Sequence, residues 1–421
     1  MSASSTSAAR APRCVTFENG LRAVFVPCEA ESVAFGLFVA SGSRHEPKGV
    51  GGISHLIEHT LFKGTKSRGP ADITRAIEGR GGNVNACTSE EGTCYFAHLP
   101  SECLRDAVDI LADMYLNATI PDDEFDREKK VVIEEIRMYS DEPDAVAMEN
   151  LQRNLFPGSP LGLPVAGTPK TLEPLVPERL RRYISSCYRP ENTVAVLAGS
   201  FDDARAESLV RGALGTFRAG RRVARSADVS PFGLRPVHEQ TVRKDVSQAQ
   251  LALGYRTFGI EDGRKYAATV LDAVLGRGMM SRLFQELREK RGLSYDISSR
   301  MQFFSDAGMF SITAGLDAAS KDVALATIDR ELDRVRERKV PAAELKRTKE
   351  FLVGNFRLSH EKVTSKLFYY GHTMLSFGRL VSPREQIDGI RSVTAADVQG
   401  AARAMFRPGC RSVSWVLPKE V

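Results

Sequence analysis

His55, Glu58 and His59 stand at i, i+3 and i+4 in the run Gly51-Gly-Ile-Ser-His55-Leu-Ile-Glu58-His59. In a helix, residues three and four apart share a face, so two imidazoles and a carboxylate converge. Two imidazoles at that spacing suit a tetrahedral zinc ion, and a carboxylate beside them could take a proton from a water in the open ligand position. The order is H-x-x-E-H, the inverse of H-E-x-x-H. The same spacing also describes an amphipathic helix whose histidines are surface residues or satisfied core residues.

A catalytic zinc needs a third protein ligand, and the helical pattern Asp122 to Tyr139 offers Glu128, Glu134 and Glu135. Glu128, Val131, Glu135 and Met138 fall on one face, whereas Phe125, Val132, Ile136 and Tyr139 form the more apolar one. Glu134 points elsewhere. Periodicity therefore selects Glu135 as the ligand and makes Glu128 a carboxylate behind it that orients a ligating histidine. A merely solvated charged face is the alternative for Glu128.

The surrounding pattern supplies the elements that must hold these groups. Two strand-like runs between Val15 and Val39 flank the Asn19-Gly20 turn, and Asn83 to Thr88, Gly92 to His98 and Asn192 to Ala198 read as further strands. Glu102 to Asn117 and Glu178 to Cys187 read as helices. The fold class expected is α+β, with two similar lobes that are each a mainly antiparallel sheet covered by helices. The lobes would be residues 1–216, holding the metal site, and 238–421, joined by an Arg-, Gly-, Ser- and Pro-rich linker at 217–237.

A duplication underlies this division. Pro121, Glu124, Arg127, Lys129 and Arg137 recur as Pro341, Glu344, Arg347, Lys349 and Arg357 at one constant offset, and Tyr188-Arg189-Pro190 recurs as Phe406-Arg407-Pro408. Gln250 to Tyr255, Leu293 to Phe303 and Met309 to Ala314 are the strands of the second copy. Its equivalents of Glu135 and Glu128 are Asn355 and Thr348, and its first helical region, Lys265 to Gly276, contains no histidine. Only one lobe can hold this metal.

Composition excludes other classes. The 421 residues are 42% apolar and 26% charged, ordinary for a soluble two-lobe protein. A net charge of +5 against 58 basic and 53 acidic residues gives no field suited to nucleic acid. No apolar run approaches the roughly 20 residues that cross a bilayer, so no membrane partner is expected. The seven cysteines are scattered without metal-knuckle spacing, as in a reduced intracellular protein. The compartment expected is the bacterial cytoplasm, or the mitochondrial matrix if the chain is eukaryotic. Residues Met1 to Arg13 read as a frayed tail rather than a targeting segment.

Together these motifs make the chain similar to the pitrilysin or insulinase family of zinc peptidases, and it resembles most its shorter members of mitochondrial-processing-peptidase type. The resemblance runs nearly end to end: His55-Leu-Ile-Glu58-His59 continues into Phe62-Lys63-Gly64-Thr65, followed by Gly81-Gly82-Asn83-Val84-Asn85-Ala86-Cys87-Thr88, then Glu128 through Glu135, then Leu287-Arg288-Glu-Lys-Arg-Gly292-Leu293-Ser-Tyr295. It implies one zinc per chain on His55, His59 and Glu135, with Glu58 as general base. It implies that an extended peptide adds to the open edge of the strand at Asn85 and Ala86, and that Arg288 and Tyr295 bind substrate near the scissile bond and stabilise the oxyanion. By residue type alone, Arg288 is a solvated helical residue and Tyr295 part of a strand.

The sequence departs from the family pattern at Gly92, where a bulkier polar residue is usual, and lacks the glycine-rich loop of the noncatalytic processing partner. One chain carries both the metal motif and the Arg288–Tyr295 pair, on different lobes, so it needs no different subunit, and a homodimer with composite active sites is expected, acting on peptides. The alternatives are a noncatalytic scaffold subunit resembling respiratory-complex core proteins, and a maturation peptidase for one precursor.

Overall fold

The computed structural model describes residues 10–220, 239–407 and 409–419. Most of the expected linker, from residue 221 on, Pro408 of the second repeat motif and the first nine residues of the N-terminal tail lie outside the described residues. The chain divides into two compact units: residues 1–134, 165–226 and 358–381 form one, and residues 135–164, 227–357 and 382–421 the other.

The first unit is built on a six-stranded sheet in the order β1-β2-β6-β3-β5-β4. Its strands are β1 (Arg13–Thr16), β2 (Arg22–Pro27), β3 (Ser32–Val39), β4 (Asn83–Thr88), β5 (Thr93–Pro100) and β6 (Thr193–Gly199). The pairing of β2 with β6 is parallel and every other pairing is antiparallel. The second unit carries a five-stranded sheet in the order β7-β11-β8-β10-β9. Its strands are β7 (Glu239–Lys244), β8 (Ala249–Phe258), β9 (Ser294–Phe303), β10 (Ala307–Leu316) and β11 (Arg411–Pro418). Only β7 with β11 is parallel there. Matching β2, β6, β3, β5 and β4 with β7, β11, β8, β10 and β9 reproduces both order and direction. The fold is therefore α+β with a repeated sheet topology.

Both faces of each central strand are covered, which is why β3 reads as the near-continuous apolar run Ser-Val-Ala-Phe-Gly-Leu-Phe-Val. On one face of the first sheet, α3 (Leu104–Asn117) packs against β3 and β5. The other face receives Val363, Leu367, Tyr370 and Met374 of the helix Val363–Phe377, over Val24, Phe38, Cys94, Val194 and Val196. Each such apolar side chain contributes about 1.5–3 kcal/mol by leaving water.

That helix comes from the C-terminal half of the sequence. Reciprocally, α5 (Pro143–Leu155), from the N-terminal half, packs against β8 and β11 of the second sheet. A central glycine lies under each exchanged helix. A Cβ on Gly36 of β3 would sit 3.3 Å from Leu367, and one on Gly254 of β8 would sit 3.1 Å from Leu151 and 3.3 Å from Leu155. Both sites admit close approach because a side chain is missing. Among the described residues, no helix is long and apolar enough to cross a membrane.

Candidate metal centre

The helix α1 (Ile53–Leu61) presents the H-x-x-E-H group. Ile53, Leu56, Ile57 and Leu61 are buried and fix one face against the core, leaving His55, Glu58 and His59 half-buried on the other. Gly52 caps the helix in the left-handed region, with φ of 90°, and a Cβ there would fall 2.4 Å from the carbonyl oxygen of Ala166. Only glycine fits that turn.

Gly52 has no side chain to cap the helix. Glu46 supplies the missing acceptor: its two carboxylate oxygens accept the Gly52 N–H at 2.7 Å and the Ser54 N–H at 2.8 Å. A carboxylate at a helix N-terminus also opposes the positive end of the dipole. Burial pushes the Glu46 carboxyl up to about 7, against the two backbone bonds that favour its ionised form. Sequence reasoning missed Glu46; a carboxylate six residues before a Gly-Gly helix start was the available signal.

The third donor arrives on α4 (Asp122–Asp141), an unbroken helix of 20 residues. Ligand atoms of His55, His59 and Glu135 all lie within 4.8 Å of one another, the one such group found among the described residues. The two imidazole centroids are 4.8 Å apart. Donors on one tetrahedral zinc are separated by roughly 3.3 Å, given bonds of about 2.0–2.2 Å, and the observed bound is compatible with that. Burial, aided by His59, lowers the His55 pKa to about 4, so the ring is neutral at neutral pH, the form that binds a metal. Two imidazoles and one carboxylate, with a further carboxylate nearby, are a donor set that could hold a tetrahedral zinc ion.

Behind these donors, Glu128 is buried and its Oε2 lies 3.3 Å from His59 Nδ1. Its other oxygen pairs with Lys63 Nζ at 2.8 Å. Glu134 is exposed. The face reading of α4 holds for buried Phe125 and Val132 but extends too far at Tyr139, which is 46% exposed. Glu58 is held from the sheet: the Thr88 hydroxyl donates to its Oε2 at 2.5 Å. Neither Thr88 nor Lys63 was legible as a partner in the sequence.

Thr88 ends β4, which occupies the edge of the first sheet and, among the described residues, pairs on one side only, with β5. Asn85 is exposed and Ala86 half-buried, and the Asn85 Oδ1 accepts the Ala86 N–H at 2.8 Å. That local bond occupies the amide an added strand would use. Gly92, in the turn after β4, would place a Cβ 3.2 Å from the Val39 oxygen and 3.4 Å from Leu375, so the turn lies tightly against its surroundings.

Arg288 and Tyr295 belong to the second unit. Arg288 lies in the wide-turn helical segment Phe284–Glu289, and its guanidinium stands 4.9 Å from the Phe284 ring centroid and 4.6 Å from that of Tyr295. Tyr295 is the second residue of the edge strand β9 and is 78% exposed, a large aromatic surface left to solvent. In the second unit's counterpart to α1, Lys265–Gly276, the buried Asp272 is instead satisfied by Arg277, Ser299 and the Met301 N–H.

Comparison with known proteins gives the family of the chain. Residues 26–169 match the model of insulinase (peptidase family M16), and residues 174–352 match that of the peptidase M16 inactive domain. The chain is 34% identical over 392 residues to an uncharacterized zinc protease of Bacillus subtilis, covering 93% of this chain and 95% of that one. Its fold is similar to that of a protease from Helicobacter pylori, with a TM-score of 0.90, 22% identity and coverage of 97% and 99% of the two chains. It is also similar to a chain of Complex III2 from Candida albicans, with a TM-score of 0.84, 19% identity and coverage of 96% and 95%. The protein belongs to the insulinase family, peptidase family M16.

Proposed function

We propose that the protein is a zinc-dependent endopeptidase that hydrolyses extended peptides or short unfolded protein segments. The observation that carries this reading is the convergence of His55, His59 and Glu135 donor atoms from two helices, with Glu58 on the same face as the histidines. His55, His59 and Glu135 would hold one zinc per chain, which supplies a water of pKa near 7 and polarises the substrate carbonyl. Glu58, oriented by Thr88, takes the proton from the attacking water and returns it to the leaving amine. Glu128 keeps the proton of His59 on Nδ1, leaving Nε2 as a lone-pair donor.

The edge position of β4 supports peptide as the substrate class, because main-chain groups of an extended segment can pair with an open strand. Asn85 and Ala86 would then bind the peptide backbone, after Asn85 releases the Ala86 amide. Tyr295 and Arg288 would stabilise the oxyanion. The reading as a noncatalytic scaffold leaves the donor set and the Glu58–Thr88 contact without a purpose.

Zinc content and chelator-sensitive cleavage of a diverse peptide library test the proposal together. Stoichiometric zinc with metal-dependent cleavage is expected; a protein that binds no zinc, or cleaves nothing when loaded, refutes it. For assembly, the reading is a homodimer in which Arg288 and Tyr295 of one chain complete the zinc site of the other. Mixing inactive Glu58→Gln and Tyr295→Phe chains should then restore activity, and no recovery after verified subunit exchange rules that arrangement out.

A further inference from the structure

Cys87 and Cys94 face each other directly across β4 and β5, in register as Cα partners. Opposed residues in an antiparallel pair have Cα atoms about 4.5–5.5 Å apart, inside the roughly 4.4–6.8 Å window of a disulfide. Their side chains point to the same face of the sheet. Both are free cysteines; Cys87 is exposed and Cys94 is buried under the helix Val363–Phe377. The neighbouring Cys94 thiol holds the Cys87 thiol below its ordinary value, while burial pushes Cys94 well above its own. One sulfur is reachable and activated; the other waits behind it.

We propose that Cys87 and Cys94 form a peroxide-oxidisable dithiol whose closure to a disulfide switches off peptide hydrolysis. The Cys87 thiolate attacks one oxygen of a hydroperoxide, breaking the O–O bond and leaving a sulfenic acid, with the other oxygen departing as water or an alcohol. The Cys94 sulfur then attacks the sulfenic sulfur: the S–S bond forms, the S–O bond breaks, and hydroxide leaves with the Cys94 proton as water. The two thiols lose two electrons and two protons, and the peroxide takes up both.

The position of the pair gives the closure its consequence. Cys87 precedes Thr88, the residue that holds Glu58 by a 2.5 Å hydrogen bond. A covalent tie to β5 at residue 87 redirects the end of the edge strand on which that contact depends. The loss of activity rests on the proposed peptidase function; formation of the bond does not.

Reduced, zinc-loaded full-length protein is treated with limiting hydrogen peroxide, alkylated, and digested after glutamate without reduction. Glu90 and Glu91 lie between the two cysteines, so cleavage separates them unless they are joined. A linked pair of peptides is expected, with hydrolysis lost in proportion to the linked fraction and restored by dithiothreitol; Cys87→Ser should hold its own starting rate through the same treatment. Absence of the linked peptides overturns the disulfide, and linked protein with undiminished hydrolysis overturns the switch. A protein that forms the link yet shows no peptidase activity even when reduced refutes the proposed function instead, because the cross-link is read by mass alone.

Discussion

Replacing Glu128 with Gln isolates the carboxylate behind the metal ligands without changing side-chain volume. The wild-type carboxylate bridges His59 Nδ1 at 3.3 Å and Lys63 Nζ at 2.8 Å from a buried position. A hydrogen bond to a charged group contributes about 1.5–3 kcal/mol, and the length of the imidazole contact puts it at the low end, near 1.5 kcal/mol. At about 1.4 kcal/mol per factor of ten, zinc affinity should fall roughly tenfold, the lower edge of the range for carboxylates that orient metal-bound histidines. Lys63, being part-exposed, can turn to solvent when its partner is neutralised. Competition for zinc against a chromophoric chelator at fixed pH reads the affinity, and thermal melting of the metal-free protein reads the fold. If the variant melts lower than wild type yet binds zinc within about twofold of it, Glu128 is only Lys63's ion-pair partner and the orienting role is refuted.

Three further outcomes follow from the same geometry. Glu58→Gln should keep its zinc and lose turnover by about 10²–10⁴-fold, the usual contribution of a general base; unchanged kcat removes Glu58 from that role. Thr88→Val deletes the 2.5 Å bond to Glu58 and should lower kcat about tenfold with KM little changed, so a rise in KM alone would point to substrate binding instead. Glu46 gives a pH signature. Its carboxyl is raised from 4.5 to about 7, so between those values the folded state holds a proton that the unfolded chain has released, and stability declines as pH rises, levelling off above about 7. His55, lowered to about 4, acts oppositely, with stability lost as pH falls from 6.5. Melting temperature against pH for wild type minus Glu46→Gln isolates Glu46; a flat difference between pH 4.5 and 7 contradicts its raised pKa.

Local periodicity made part of this site legible. His55, Glu58 and His59 share a face because any helix stacks i, i+3 and i+4, and Glu135 was separable from Glu134 because one residue turns a helix by about 100°. The strand at Asn83–Thr88 was readable to its last residue, because alternation and flanking turn residues bound it. Other partners obey no local rule. Glu46 acts from a loop through backbone amides, and Thr88 reaches Glu58 from a different element 30 residues away. The exchanged helices α5 and Val363–Phe377 were likewise hidden, since an apolar stripe states that a helix must be covered but not which sheet covers it.

By itself, the sequence determined the donor types, their helical face, the loss of those donors in the second copy and the repeat that predicts two similar sheets. Those properties depend on residue identity and on helix or strand period, which act over a few positions. Only the tertiary structure decided that Glu135 meets two histidines from far earlier in the chain, that Glu46 caps their helix, and that Cys87 opposes Cys94 beside the base's partner. These meetings are fixed by how whole elements bury their apolar faces against one another, which no short stretch of sequence specifies.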